Sequence, residues 1–183
     1  MADILIQYFT TGFGELVLGS FEERLCLCDW RYRRMRAAVD TRIQRGLNAA
    51  YCEGTSVVMD AAKDQLQQYF AGERTGFDIP LRMVGTDFQQ RVWAALLTVP
   101  YGASETYASL TGKVAEPTAI RAVASANGAN AISIVVPCHR IIGSSGELVG
   151  YAGGLTAKKK LLQLENAVSG KREPDLFNAL AEA

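Results

Sequence analysis

The sequence predicts an α+β protein: an N-terminal antiparallel sheet with helices, followed by a mostly helical C-terminal module carrying a helix-turn-helix. Three observations lead there. The first thirty residues alternate apolar and polar positions in the strand manner, a helical stripe of apolar residues follows, and past a Gly- and Pro-containing stretch the chain reads as short helices divided by turns. With 183 residues and 49% apolar composition, it can build one compact domain or two small ones.

Each element has its own signal. Ile4, Ile6 and Tyr8 share one parity and Leu16 and Leu18 another, while Leu25 and Leu27 are expected to face away from Cys26 and Cys28. TTGFG and SFEER supply the turns of a meander. Val58, Ala62, Leu66 and Tyr69 form a helical stripe closed by Gly72. The stretch 72–85, with Pro80, reads as a linker, which divides the chain into an N-terminal domain over 1–80, a C-terminal domain over 85–167 and a tail over 168–183. Thr86 or Asp87 caps a helix bearing Phe88, Val92, Ala95 and Leu96, which runs to about Thr98, where PYG breaks it. A short helix is expected over 105–111 between Ser104 as cap and Gly112 as stop. The next starts at Pro117 and reaches about Asn127, with Gly128 at its end. AISIVV reads as a strand buried on both faces that ends at Pro137, which has no N–H to give a ladder. A last helix spans about 156–167.

Composition narrows the setting. No apolar run approaches a bilayer span, and MADILIQYFTTG lacks the order of a signal peptide, so a cytoplasmic protein without a membrane partner is expected. Four scattered cysteines do not make a disulfide framework or a metal site. The net charge is zero, yet residues 1–80 carry −2 and 81–167 carry +3, so the second half is the one suited to phosphates.

Two places carry chemical potential. On the helix after Pro117, Ile120, Val123 and Ala124 make the apolar stripe, and Thr118, Ala122 and Ser125 make a small-residue stripe interrupted by Arg121. Such a face suits close docking; a solvated face with an ordinary arginine fits the spacing as well. The second place is VVPCHRIIGSSGELVGYAGG, where the single histidine, His139, follows Cys138. Only a turn after Pro137 brings both side chains into one pocket, and free N–H groups in that turn are expected to favour thiolate. Downstream, Leu155, Lys158, Leu161, Leu162 and Glu165 share one helical side, which places a carboxylate on an apolar stripe. It needs a partner, and His139 is the candidate, giving a Cys-His-Glu chain. Cys26, Cys28 and Cys52 read as inert core, and Lys159 and Lys160 as a solvated face.

FQQRVWAALLTVPYGASETYASL, AIRAVASANGAN, IVVPCHRIIGSSGELVGYAGG and KKKLLQLE together resemble the O6-alkylguanine-DNA alkyltransferases over residues 85–165. The resemblance implies a ribonuclease-H-like N-terminal domain and a winged-helix-like C-terminal one. Cys138 would accept the alkyl group from O6-alkylguanine, and from O4-alkylthymine as a second substrate, once per molecule and without a cofactor. His139 would be the base acting through a water, Glu165 its support, Asn130 the brace of the active turn and Tyr107 a proton donor to the purine. Arg121 would replace the rotated nucleotide in double-stranded DNA. Thr118, Ala119, Ala122 and Ser125 would lie in the minor groove, with Arg140 as a further DNA contact. Tyr151, Ala152, Ile141 and Lys158 would form the substrate pocket of a monomer. Ala152 stands where many members have serine, which removes a hydroxyl contact to O6 and bears on bulky adducts. Two other classes fit parts of the sequence: a cysteine hydrolase, which would turn over, and a DNA-binding regulator or lesion sensor, which would need no thiol.

Overall fold

The computed structural model describes residues 2–169; of the expected tail over 168–183, residues 170–183 lie outside the described residues, and 168–169 belong to the last helix. β1 (Ile4–Thr11), β2 (Gly14–Phe21) and β3 (Arg24–Trp30) form the expected antiparallel meander. Two elements had no clear sequence signal, α1 (Arg36–Leu47) and β4 (Tyr51–Glu53); β4 pairs in parallel with β1, giving the sheet order β3-β2-β1-β4. α1 is missed by periodicity because only Val39 and Ile43 are buried on it.

The expectation that Leu25 and Leu27 share a face is wrong. A register shift beside Gly19 and Ser20 leaves Cys26 as the extra residue of a bulge, since Gly19 pairs with Leu27 and Ser20 with Leu25. Leu25 and Cys28 therefore pack with α2 (Val57–Phe70), while Cys26 and Leu27 pack with α1. The sheet is covered on both faces.

α3 (Asp87–Leu96) begins with a capping box between Thr86 and Gln89. The helix expected over 105–111 is shifted. Glu105–Thr106 is instead strand β5, and α4 runs Tyr107–Val114 through Gly112, capped by Thr106 rather than Ser104. A 3-10 turn at Pro117–Ala119 leads into α5 (Ile120–Gly128). β5 pairs in parallel with β6 (Ile141–Ile142), and α6 runs Gly154–Ser169.

AISIVV is buried but is not a strand. Ile132 bridges Cys28 on β3, then the backbone reverses through Ile134 at φ +72°, a conformation that costs a β-branched residue heavily. The Asn130 side chain explains the reversal: its Oδ1 accepts from Ile132 N at 2.9 Å and its Nδ2 donates to Val136 O at 2.9 Å. Local side-chain bonds thus replace a ladder.

One continuous core joins Leu18, Leu66 and Tyr69 of the first half to Trp93, Val136 and Leu161 of the second. Trp30 closes the junction, edge-on to Tyr151 at 6.0 Å and so close to Gly153 that an added Cβ would sit 2.4 Å from its ring. Among the described residues, no helix is long and apolar enough to cross a membrane.

Candidate active site

Pro137 ends the buried segment, and Cys138–Arg140 form a 3-10 turn, so Cys138 stands on a turn as its sequence context requires. A cavity of about 240 Å³ opens over its thiol. Tyr107 and Asn130 line one side, and Gly150, Tyr151 and Ala152 another. Pairing of β5 with β6 explains Tyr107: it places the first residue of α4 directly after a strand bonded to the segment that follows the cysteine.

The thiol itself is only 4% exposed. Burial pushes its pKa above the usual thiol value, against the lowering effects of Asn130, Lys158 and Arg33. This corrects the expectation of a thiolate. Burial favours the thiol over the thiolate as the resting form. Asn130 Nδ2 lies 3.2 Å from Sγ and will stabilise the anion once it forms. Burial also raises Cys26 to about 12 and Cys28 still further, in keeping with inert core. Cys52 departs from that expectation, because it is exposed.

His139 is not among the residues that line this cavity. His139 and Glu165 are both fully buried, with Nε2 2.7 Å from Oε1. Burial alone would raise the Glu165 carboxyl, but hydrogen bonds and charge from His139 and Arg140 hold it at about 2. Burial lowers the His139 pKa, and Glu165 offsets this only in part. The imidazole is thus neutral beside an ionised carboxylate, which fixes the proton on Nε2 and leaves Nδ1 with the lone pair. Nδ1 is buried and has no hydrogen-bond partner among the described residues.

Three further groups complete the carboxylate's shell, and sequence reading identified none of them as doing so. Tyr69 O–H donates to Oε1 at 2.7 Å, Gly102 N–H donates to Oε2 at 3.1 Å, and Arg140 donates through Nε and Nη2 at 2.9 Å each. Arg140 also donates to Val99 O at 2.7 Å and is only 7% exposed. Its expected role at DNA is therefore corrected. Its charge neutralises Glu165, so His139 need not be protonated to balance the carboxylate.

Ile141 and Lys158 are corrected as well, since neither lines the cavity. Ile141 is core, and its carbonyl accepts from Lys158 Nζ, which also bonds Val149 O at 2.9 Å and Gly150 O at 3.4 Å. Lys158 acts from behind, tying the loop that carries Tyr151. With no carboxylate partner, burial lowers its pKa to about 8.

A second buried carboxylate, Asp29, connects to the turn beside Cys138 and was missed. Asp29 accepts from Trp30 N, Ser133 Oγ, Arg33 and Arg36 at 2.8 to 3.1 Å. Arg33 in turn donates to Asn130 O and Gly128 O, gripping the turn whose side chain touches the thiol. The acid inside LCLCDW lies in a run buried on both faces, where alternation does not single it out.

On α5, Arg121, Ala122 and Ser125 are exposed, as is Thr118 ahead of it, while Ala119 is half-buried. Ile120 is 39% exposed, so the expected apolar stripe is incomplete. It borders, with Ala124 and Arg121, a second hollow of about 470 Å³ that shares Tyr107 and Gly150 with the first.

Known proteins match this arrangement. Residues 87–167 fit the family model described as 6-O-methylguanine DNA methyltransferase, DNA binding domain. The constitutive methylated-DNA–protein-cysteine methyltransferase of Bacillus subtilis is 40% identical over 176 residues, covering 92% of this chain and all of the relative. The chain belongs to the methylated-DNA–protein-cysteine methyltransferase family. Another family member, from Mycobacterium tuberculosis, is 57% identical over 106 residues, 58% of this chain and 64% of the relative, so that match spans less than two thirds of its length. The crystal structure of the O6-methylguanine methyltransferase of that organism superposes with a TM-score of 0.73 at 39% identity, covering 96% of this chain and 98% of the other. A second structure of a family member from that organism, in complex with DNA, gives 0.76 at 40% identity, covering 90% and 94%.

Proposed function

We propose that this chain repairs double-stranded DNA by moving the alkyl group of O6-alkylguanine onto its own Cys138, once per molecule. The observation that carries the reading is a buried thiol at the base of a nucleobase-sized cavity, next to a histidine whose tautomer is set by an ionised, fully bonded carboxylate. O6 of a paired guanine lies within the base stack, so the nucleotide must rotate out before Sγ reaches the alkyl carbon. Arg121 would fill the gap from the small-residue helix, with Thr118, Ala119, Ala122 and Ser125 against the minor groove.

The chemistry balances without a cofactor. The Cys138 proton passes through a water to His139 Nδ1, the thiolate attacks the alkyl carbon, and the C–O6 bond breaks with its electron pair leaving to the purine. Tyr107 gives the purine a proton, and the one held by His139 restores it. Tyr107 is suited to this, since its hydroxyl is held only by contacts of 3.4 and 3.5 Å to Val149 O and Asn127. The product thioether has no easy reverse route, which separates this reading from a hydrolase. Ala152 supplies a backbone N–H toward O6 but no hydroxyl. O4-alkylthymine is a smaller substrate of the same geometry.

The finer assignments follow from this reading. A parallel β4 beside an antiparallel meander supports a ribonuclease-H-like N-terminal domain over 1–80, and α4, α5 and the β5/β6 pair support a winged-helix-like C-terminal domain over 85–167. The working form is a cytoplasmic monomer. Intact-protein mass after mixing with O6-methylguanine duplex tests the proposal: a gain of one CH2, mapped to Cys138, is expected. Multiple turnover, or transfer that survives Cys138→Ala, overturns it.

A further inference from the structure

The loop between β3 and α1 reads in sequence as a plain basic run, RYRRMR, and the structure sorts its four arginines. Arg31 pairs with Glu15 at 2.6 Å and lies over the Tyr8 ring, Arg33 pairs with Asp29, and Arg36 pairs with Asp29 and Asp40. Arg34 alone has no hydrogen-bond or ion-pair partner among the described residues. It is exposed, and with Arg33 and Met35 it forms the wall of the Cys138 cavity contributed by the N-terminal half.

Across the cavity stands α5, with Ala124 and Gly128 on the wall and Arg121 one turn away in the adjoining hollow. Arg121 is likewise without a partner among the described residues. The reactive cavity and the hollow beside it are therefore bordered by two guanidinium groups, carried by different halves of the chain, that have no hydrogen-bond or ion-pair partner among the described residues, with Glu147 also on the hollow's lining. A cation on the rim that no carboxylate claims is what an incoming phosphate requires, and a guanidinium fork fits two phosphate oxygens at once. The start of α1, directly after Met35, adds to the favourable field, because its first turn holds no acidic residue.

We propose that Arg34 is a second DNA-contact site, binding a backbone phosphate of the strand whose nucleotide enters the cavity. This rests on the duplex-DNA reading above. A nucleotide swung into the cavity carries its flanking phosphates to the rim; α5 holds the groove on one side, and Arg34 receives the phosphate on the other. The N-terminal half thus meets DNA directly in spite of its net charge of −2.

Anisotropy titration of undamaged duplex across a salt series tests this without any alkyl transfer, so its outcome is separate from whether Cys138 accepts the group. Loss of one phosphate contact lowers the slope of log affinity against log salt by about 1 and weakens binding about eightfold at 0.1 M salt. Arg34→Ala should show that change, Arg34→Glu a larger one and Arg34→Lys a smaller one, with thermal unfolding as the control for folding. Repair of duplex should also fall further than reaction with free O6-benzylguanine. Unchanged duplex affinity and salt slope in Arg34→Glu, or equal losses on duplex and free base, overturns the proposal.

Discussion

Glu165 and Asp29 are both fully buried and both surrounded by donors, one bonded to the residue after Cys138 and the other linked through Arg33 to Asn130. Their partners differ in kind. Glu165 holds a titratable imidazole, so it can influence when a proton moves. Asp29 reaches the reaction through two guanidinium groups and a serine hydroxyl, none of which changes charge near neutral pH, so it can only place Asn130. On the proposed mechanism, one carboxylate serves proton transfer and the other serves geometry.

The sharpest way to separate them is Glu165→Gln. It leaves Arg140 buried without its carboxylate, which should cost about 3 to 5 kcal/mol in urea unfolding. It also removes the group that sets the His139 tautomer, so single-turnover transfer should slow by about 100-fold. Acid should reproduce part of the stability effect. The Glu165 carboxyl titrates near 4.5 unfolded and about 2 folded, so its contribution is full above pH 4.5 and lost as pH falls toward 2. That loss is on the order of 3 kcal/mol, and stability in Glu165→Gln should be flatter across the same window.

Asp29→Asn should cost less, about 1 to 3 kcal/mol. Arg33 keeps the carbonyls of Asn130 and Gly128, and Arg36 keeps Asp40. Transfer should slow while the pH profile keeps its shape; a profile displaced as far as in Glu165→Gln would break the division. The smallest effect is expected from Lys158→Met, which frees the carbonyls of Val149 and Gly150. Local opening of 149–152 should become easier by about 1 kcal/mol, read as faster amide exchange with little change in global unfolding.

The sequence revealed these two networks unequally. Glu165 could be found because helix periodicity marks which positions are buried, and a carboxylate there is an anomaly. Asp29 sits in a strand apolar on both faces, where alternation carries no such contrast, and its partners come from a loop and from residue 133, about a hundred positions away. The bulge at Cys26 and the reversal at Ile134 were hidden for a related reason: both depend on bonds between distant or side-chain atoms, while the local pattern still reads as strand. Arg140 was misread because a basic residue beside a reactive cysteine suggests a phosphate contact, and only the fold brings Glu165 to it. Asn130 does reach Cys138, as the family resemblance implied, and His139 does pair with Glu165, as the residue pattern implied.

The chain contains one histidine, and that residue sits inside the relay. Its ring nitrogens can therefore be observed by nitrogen-15 spectroscopy with no assignment problem at all. Because burial lowers the His139 pKa, their titration should be displaced to lower pH than that of an exposed imidazole. A new alkyl group one residue away would shift both resonances, so the molecule carries a built-in spectroscopic record of whether it has already fired.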